Sequence, residues 1–148
     1  MRVALGADDA TRLVDVIEEV LRAEGHEVAR YGKAAGCDES WGRTGQKVAE
    51  AVARGEHQQG IVCCWTGTGV SIAANKVPGV RAALCVDAES ARGARKWNDA
   101  NVLALSLRLT SEPLAKEILL AWLSEPYGGT EDESLGVLSA LDGRTRES

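Results

Sequence analysis

The chain has 148 residues, 45% apolar and 26% charged, a balance that suits one soluble globular domain with a real core. A net charge of −5 supplies no basic face for sequence-independent nucleic-acid binding, and no apolar run reaches membrane-spanning length. The opening MRVALGADD lacks the basic-then-apolar layout of a signal peptide, so a cytoplasmic location is expected.

Arg2 to Gly6 is a short apolar run closed by glycine, the pattern of a buried strand. From Thr11 to Glu24, Leu13, Val14, Ile17, Val20 and Leu21 recur at helical spacing, and Gly25 stops the helix. Glu27 to Tyr31 reads as the second strand, and Gly32 to Gly42 as a polar loop. Gln46 to Arg54 is a helix with Val48, Ala49 and Val52 on one face. The strand GIVCC, Gly60 to Cys64, runs into the loop WTGTG and a helix from Val70 to Lys76. After Pro78-Gly79 come a strand (Val80 to Val86), a helix (Glu89 to Lys96), a fifth strand (Val102 to Leu105) and a long helix (Glu112 to Leu123). A short helix is expected from Leu135 to Leu141, then a flexible tail from about residue 142 to 148.

Strands that alternate with helices predict a single α/β domain over 1–148. Its core is a Rossmann-like, doubly wound, five-stranded parallel sheet with helices on both faces. Ligands of such sheets sit beyond the carboxyl ends of the strands. Three loops fall there: Ala7 to Ala10, Cys64 to Gly69, and Asp87-Ala88.

The four cysteines have no metal-site spacing, and only two histidines are present, His26 and His57. Chemistry concentrates in CWTGTGVSIAANK, Cys64 to Lys76. A thiol ends a strand, and a glycine loop then opens a helix. Amides at a helix start favour negative charge, and the same field suits a thiolate beside them. Such a thiolate can take a proton next to a carbonyl while the loop holds the enediolate oxygen. The competing reading makes Cys64 a small buried hydrophobe. Cys63 faces the other side of the strand and belongs to the core, as does Cys85. Gly67-Thr68-Gly69 also begins a dinucleotide fingerprint with Asp87 on the ribose, but Ile72 holds the third glycine position. Asp8 and Asp9 end the first strand, either as ligands for sugar hydroxyls or as helix-start acids. Asn98 is a candidate ligand or a loop-closing side chain. Trp41, Trp65 and Trp97 fall in loops near strand ends, where indoles stack on sugars or pack interfaces.

Gly6-Ala7-Asp8, KVAEAVARGE, GIVCCWTGTGVSIAANK, GVRAALC and NDANVLALSLR together give the chain a strong family likeness. It resembles the type B ribose-5-phosphate isomerases and galactose-6-phosphate isomerase subunits from Val3 to about Leu141. The resemblance implies aldose–ketose interconversion through a cis-enediolate, with no metal or organic cofactor. It also implies a homodimer or dimer of dimers with a site shared between subunits; charge and hydropathy, as above, leave no nucleic-acid or membrane partner expected. On this resemblance Cys64 is the catalytic base and Thr66 assists ring opening. Gly67, Gly69 and Ser71 form the anion hole, Asp8 and Asn98 bind substrate, and Arg108 helps hold a phosphate.

Five departures bear on the substrate. Asp9 and Trp97 stand where the family has histidines tied to phosphate binding and ring opening. Trp41 stands for its tyrosine, and Trp65 for the glycine after the cysteine. Where the family has C-terminal cations, this chain has Gly128-Gly129-Thr130-Glu131-Asp132-Glu133-Ser134. Exchanging a cation for a carboxylate at ~4 Å alters the field by a few kcal/mol. The expectation is therefore an isomerase acting on an altered sugar, one that need not be phosphorylated. The alternatives are an ordinary ribose-5-phosphate isomerase, whose phosphate site would draw on Arg12, Arg43, Arg144 or Arg146, and a non-catalytic sugar- or nucleotide-binding relative.

Overall fold

Alternation along the strands decides the layers. In β1 (Arg2–Ala7), Val3, Leu5 and Ala7 point to one side and Ala4 to the other. β3 (Gln59–Cys64) repeats this with Ile61 and Cys63 against Val62 and Cys64. β5 (Val102–Ser106) does so with Leu103 and Leu105 against Val102 and Ala104. The first set packs under α1 (Arg12–Ala23), α4 (Ala88–Asn98) and α5 (Glu112–Ser124). The second packs under α2 (Trp41–Ala53) and α3 (Thr68–Asn75). Both faces are therefore covered, as the near-continuous apolar strands require. The computed structural model describes residues 1–143.

Together with β2 (Glu27–Gly32) and β4 (Ala82–Leu84), these strands form one parallel sheet in the order β2-β1-β3-β5-β4. The expected doubly wound sheet is what forms. The chain leaves β1 toward β2, then crosses back to lay β3 on the other side of β1. The strand order switches between β1 and β3, so a crevice opens beyond their carboxyl ends.

Several boundaries differ from expectation for local reasons. α2 starts at Trp41, inside the expected loop, because the Ser40 hydroxyl caps it by accepting from the Arg43 amide at 3.1 Å. Its Gly45 discourages a helix in sequence but fits the packing. A Cβ there would stand 2.9 Å from the Ala73 Cβ and 3.2 Å from the Val70 carbonyl oxygen of α3. A short 3-10 turn, Lys33–Ala35, follows β2. The last helix, α6 (Asp132–Asp142), is longer than expected and has no buried residue. Its Asp142 carboxylate accepts from the Gly79 amide at 2.8 Å. The remainder of the expected tail, with Arg144 and Arg146, lies outside the described residues.

Candidate active site

β3 delivers Cys64 to the carboxyl edge of the sheet, 5% exposed, and the chain then turns sharply. Gly67 makes that turn at φ 77° and is the N-cap of α3. A Cβ at this position would lie 2.9 Å from the Leu105 carbonyl carbon and 2.7 Å from Leu84 Cδ1. Only glycine provides both the left-handed backbone and the close approach. The Ser71 amide donates to the Gly67 carbonyl at 3.3 Å, closing the first turn of α3. The amides ahead of it in that turn have no partner within the helix and face the crevice end of the sheet.

A cleft of about 270 Å³ lies here, lined by Asp8, Cys64, Trp65, Thr66, Thr68 and Gly69, with Trp41 as its wall. Asp8 follows β1, β3 supplies Cys64, α2 supplies Trp41, and the glycine loop with the start of α3 supplies Trp65, Thr66, Thr68 and Gly69. The Thr66 and Thr68 hydroxyls are 2.7 Å apart, so each fixes the other's orientation. The Trp41 indole lies against Gly69, since a Cβ on that glycine would be 2.8 to 3.1 Å from the ring. Asp8 and Trp65 also line an adjoining depression of about 230 Å³, with Asp9, Lys33 and Leu107.

The carboxyl of Asp8 is pushed above the ordinary aspartate range. Burial is the main cause and neighbouring Asp9 adds to it, while its own backbone hydrogen bond and Lys33 oppose the shift. Folding thus favours protonated Asp8, and this contribution is complete only below the ordinary carboxylate range. It is lost as pH rises through the raised value. Asp8→Asn should therefore melt at a higher temperature than the wild type at neutral pH, and the gap should close in acid. Thermal melts at the two pH values check this, and a lower melting point at neutral pH would contradict it. Asp9 is exposed, its carboxylate accepting from the Ala10 amide at 2.9 Å.

Of the remaining expected residues, Gly67 and Ser71 lie at the loop and the first turn of α3, beside the cleft. Arg108 is exposed, and its amide donates to the Trp65 carbonyl at 3.0 Å. Trp97 and Asn98 are not in a loop at the carboxyl edge. They form the last turn of α4, which starts beyond β4 and runs back to the amino edge before β5. Within one chain they are at the other end of the sheet from Cys64. Asp87 does not line the cleft. Its carboxylate caps α4, accepting from the Ser90 amide at 2.7 Å, and is occupied rather than free for a ribose. Arg12 is paired with Glu19 at 3.0 Å and Glu112 at 3.4 Å, and Arg43 donates to Gln46 at 3.0 Å.

Three contributors were not singled out from sequence. Lys33 reaches the site because β2 pairs with β1, placing Gly32 opposite Ala7. Ser106 is buried, donating to the Trp65 carbonyl at 3.0 Å and accepting from the Leu109 amide at 3.0 Å. Thr68 orients Thr66. A polar residue at the end of the apolar strand VLALS was the available signal for Ser106. Thr68 lies two residues from Thr66 in the same loop, whereas Lys33 depends on a tertiary neighbour.

The description Ribose/Galactose Isomerase belongs to a family model that matches residues 3–136. The D-erythrulose-4-phosphate isomerase of Pectobacterium atrosepticum is 41% identical over 131 residues, covering 87% of this chain and 86% of the relative. The ribose-5-phosphate isomerase B of Escherichia coli is 46% identical over 99 residues, 66% of each chain. The solved structure of Clostridium thermocellum ribose-5-phosphate isomerase B superposes with a TM-score of 0.89 at 40% identity, covering 96% of this chain and 97% of that one.

Proposed function

This chain belongs to the ribose/galactose isomerase family of sugar-phosphate isomerases, and from that premise we propose that Cys64 is the base of an aldose–ketose isomerase acting on a sugar other than ribose 5-phosphate. The observation that carries the proposal is the placement of Cys64. It ends β3 in a cleft that also holds Asp8 and Thr66, at the amino end of α3.

With an open-chain aldose in the cleft, the Cys64 thiolate removes the proton from C2. The C2 electrons form the C1–C2 double bond, and the carbonyl electrons move to O1. Amides of the Gly67 to Gly69 turn hold that oxyanion, the role such fixed donors play best in a site sheltered from water. Cys64 then returns its proton to C1. The O2 hydroxyl proton passes to O1, leaving a C2 ketone. Asp8 accepts from substrate hydroxyls, and Thr66, oriented by Thr68, assists ring opening.

Charge supports a changed substrate. Among the described residues, no Lys or Arg lines the Cys64 cleft. Among those residues the adjoining depression has one, Lys33, against Asp8 and Asp9. A homodimer with a shared site would bring Trp97 and Asn98 from the partner, because one chain keeps them at the opposite edge. Unburied α6, with Val137, Leu138 and Leu141 exposed, supports that assembly. The acidic 131–133 segment would travel with Trp97 and Asn98, since the Gly128 amide donates to the Lys96 carbonyl at 2.9 Å. A terminal phosphate dianion is poorly matched to such surroundings.

A second reading keeps the phosphate on a shorter sugar. It is favoured by Lys33 and by the similarity to the Pectobacterium D-erythrulose-4-phosphate isomerase. Turnover of a panel of aldoses, ketoses and their terminal phosphates separates the two. Ribose 5-phosphate is expected to react at least ~100-fold more slowly than the best sugar, the consequence of a few kcal/mol of unfavourable charge. Robust turnover of ribose 5-phosphate would contradict the proposed change of substrate.

A further inference from the structure

The Cys64 cleft and the Lys33 depression are neighbours, and Asp8 and Trp65 belong to both. Trp65 is one residue from the proposed base, and 64% of it is exposed. Its backbone, by contrast, is tied down. Its carbonyl accepts from Ser106 Oγ at 3.0 Å and from the Arg108 amide at 3.0 Å. The Cys64 carbonyl before it accepts from the Leu107 amide at 2.9 Å. Trp65 therefore stands on a fixed backbone and borders both depressions.

Two other walls of the Cys64 cleft are closely packed. Trp41 is pressed onto Gly69, and Gly67 onto the Leu105 backbone. The cleft is small, at about 270 Å³, below the ~300–1,000 Å³ of pockets that take drug-sized ligands. A substrate with C1 and C2 at Cys64 that extends toward Lys33 and Asp9 passes Trp65, which lines both depressions.

We infer that Trp65 sets the chain length of the substrate: its indole closes the Cys64 cleft against the Lys33 depression and favours short open-chain sugars over longer homologues. This rests on the isomerase reading above and adds the residue that selects among its substrates. One surplus carbon against a fitted wall changes preference by about 10- to 200-fold.

The test is kcat/KM for four-, five- and six-carbon ketoses that share one terminal group. It is measured on the full chain for wild type, Trp65→Gly and Trp65→Ala. Trp65→Ala keeps a Cβ, so it separates loss of the indole from loosening of the loop. Wild type should lose about tenfold or more per added carbon. Both variants should raise the six-carbon to four-carbon ratio by at least ~10-fold. A wild-type profile flat in length, or a ratio that neither variant moves, overturns the inference while leaving the isomerase reading intact. Absence of Cys64-dependent turnover at every length overturns both.

Discussion

Cys64→Ala should lower kcat by about 10²- to 10⁴-fold, the usual contribution of a positioned general base, and leave the fold in place. The thiol sits at the edge of the smaller core cluster, beside Val62, Val70 and Ala104, so its removal costs about 1 kcal/mol of packing. Cys63→Ala is the matched control. The two cysteines are adjacent in β3 but face opposite sides of the sheet. Burial pushes the Cys63 thiol up to about 12, so it stays protonated and inert. Its loss should change stability and leave turnover nearly untouched. Steady-state kinetics with circular dichroism on both variants checks the pair. Wild-type turnover in Cys64→Ala would remove the base from the mechanism.

Trp122→Ala should destabilise the fold by about 3–5 kcal/mol, a large share of the ~5–15 kcal/mol that holds a domain together. Trp122 lies on α5, 1% exposed, within the larger core cluster. Its Nε1 donates to Gln59 Oε1 at 2.8 Å, and the Arg95 guanidinium lies 5.6 Å from its ring centroid. Gln59 opens β3, the strand that ends in Cys64. The indole thus braces the far end of the strand that positions the proposed base. Trp122→Phe should recover most of the packing but not the hydrogen bond, and should lie between wild type and Trp122→Ala in urea melts. A midpoint unchanged in Trp122→Ala would mean that this contact contributes little to the fold.

Much of the architecture was legible because the strands are apolar on both faces and the helices carry clean stripes. Thr11 to Gly25 shows this well. The helix occupies Arg12–Ala23, and Gly25 follows at φ 87°. Local reading failed where a distant element justified a locally poor residue. Gly32 to Gly42 read as a loop, yet Ser40 caps a helix that starts at Trp41, and Gly45 admits α3. Cys64, Thr66 and the glycine turn were legible because one continuous segment contains them. Lys33 was not, since only the pairing of β2 with β1 brings it near Asp8. Trp97 and Asn98 are a different case. Their sequence neighbourhood resembles a site segment, and the topology puts them at the amino edge, so a role in the site depends on the shared-subunit arrangement that the resemblance implies.

The central claim is proton transfer at C2 by Cys64, and hydrogen exchange measures it directly. Aldoses, ketoses and their phosphates are incubated with enzyme in deuterated water and followed by NMR. The account predicts deuterium at C2 of at least one aldose, or at C1 of its ketose, with wild type and Cys63→Ala, and none above background with Cys64→Ala. Exchange that persists in Cys64→Ala, or no exchange with any sugar in wild type, would contradict it.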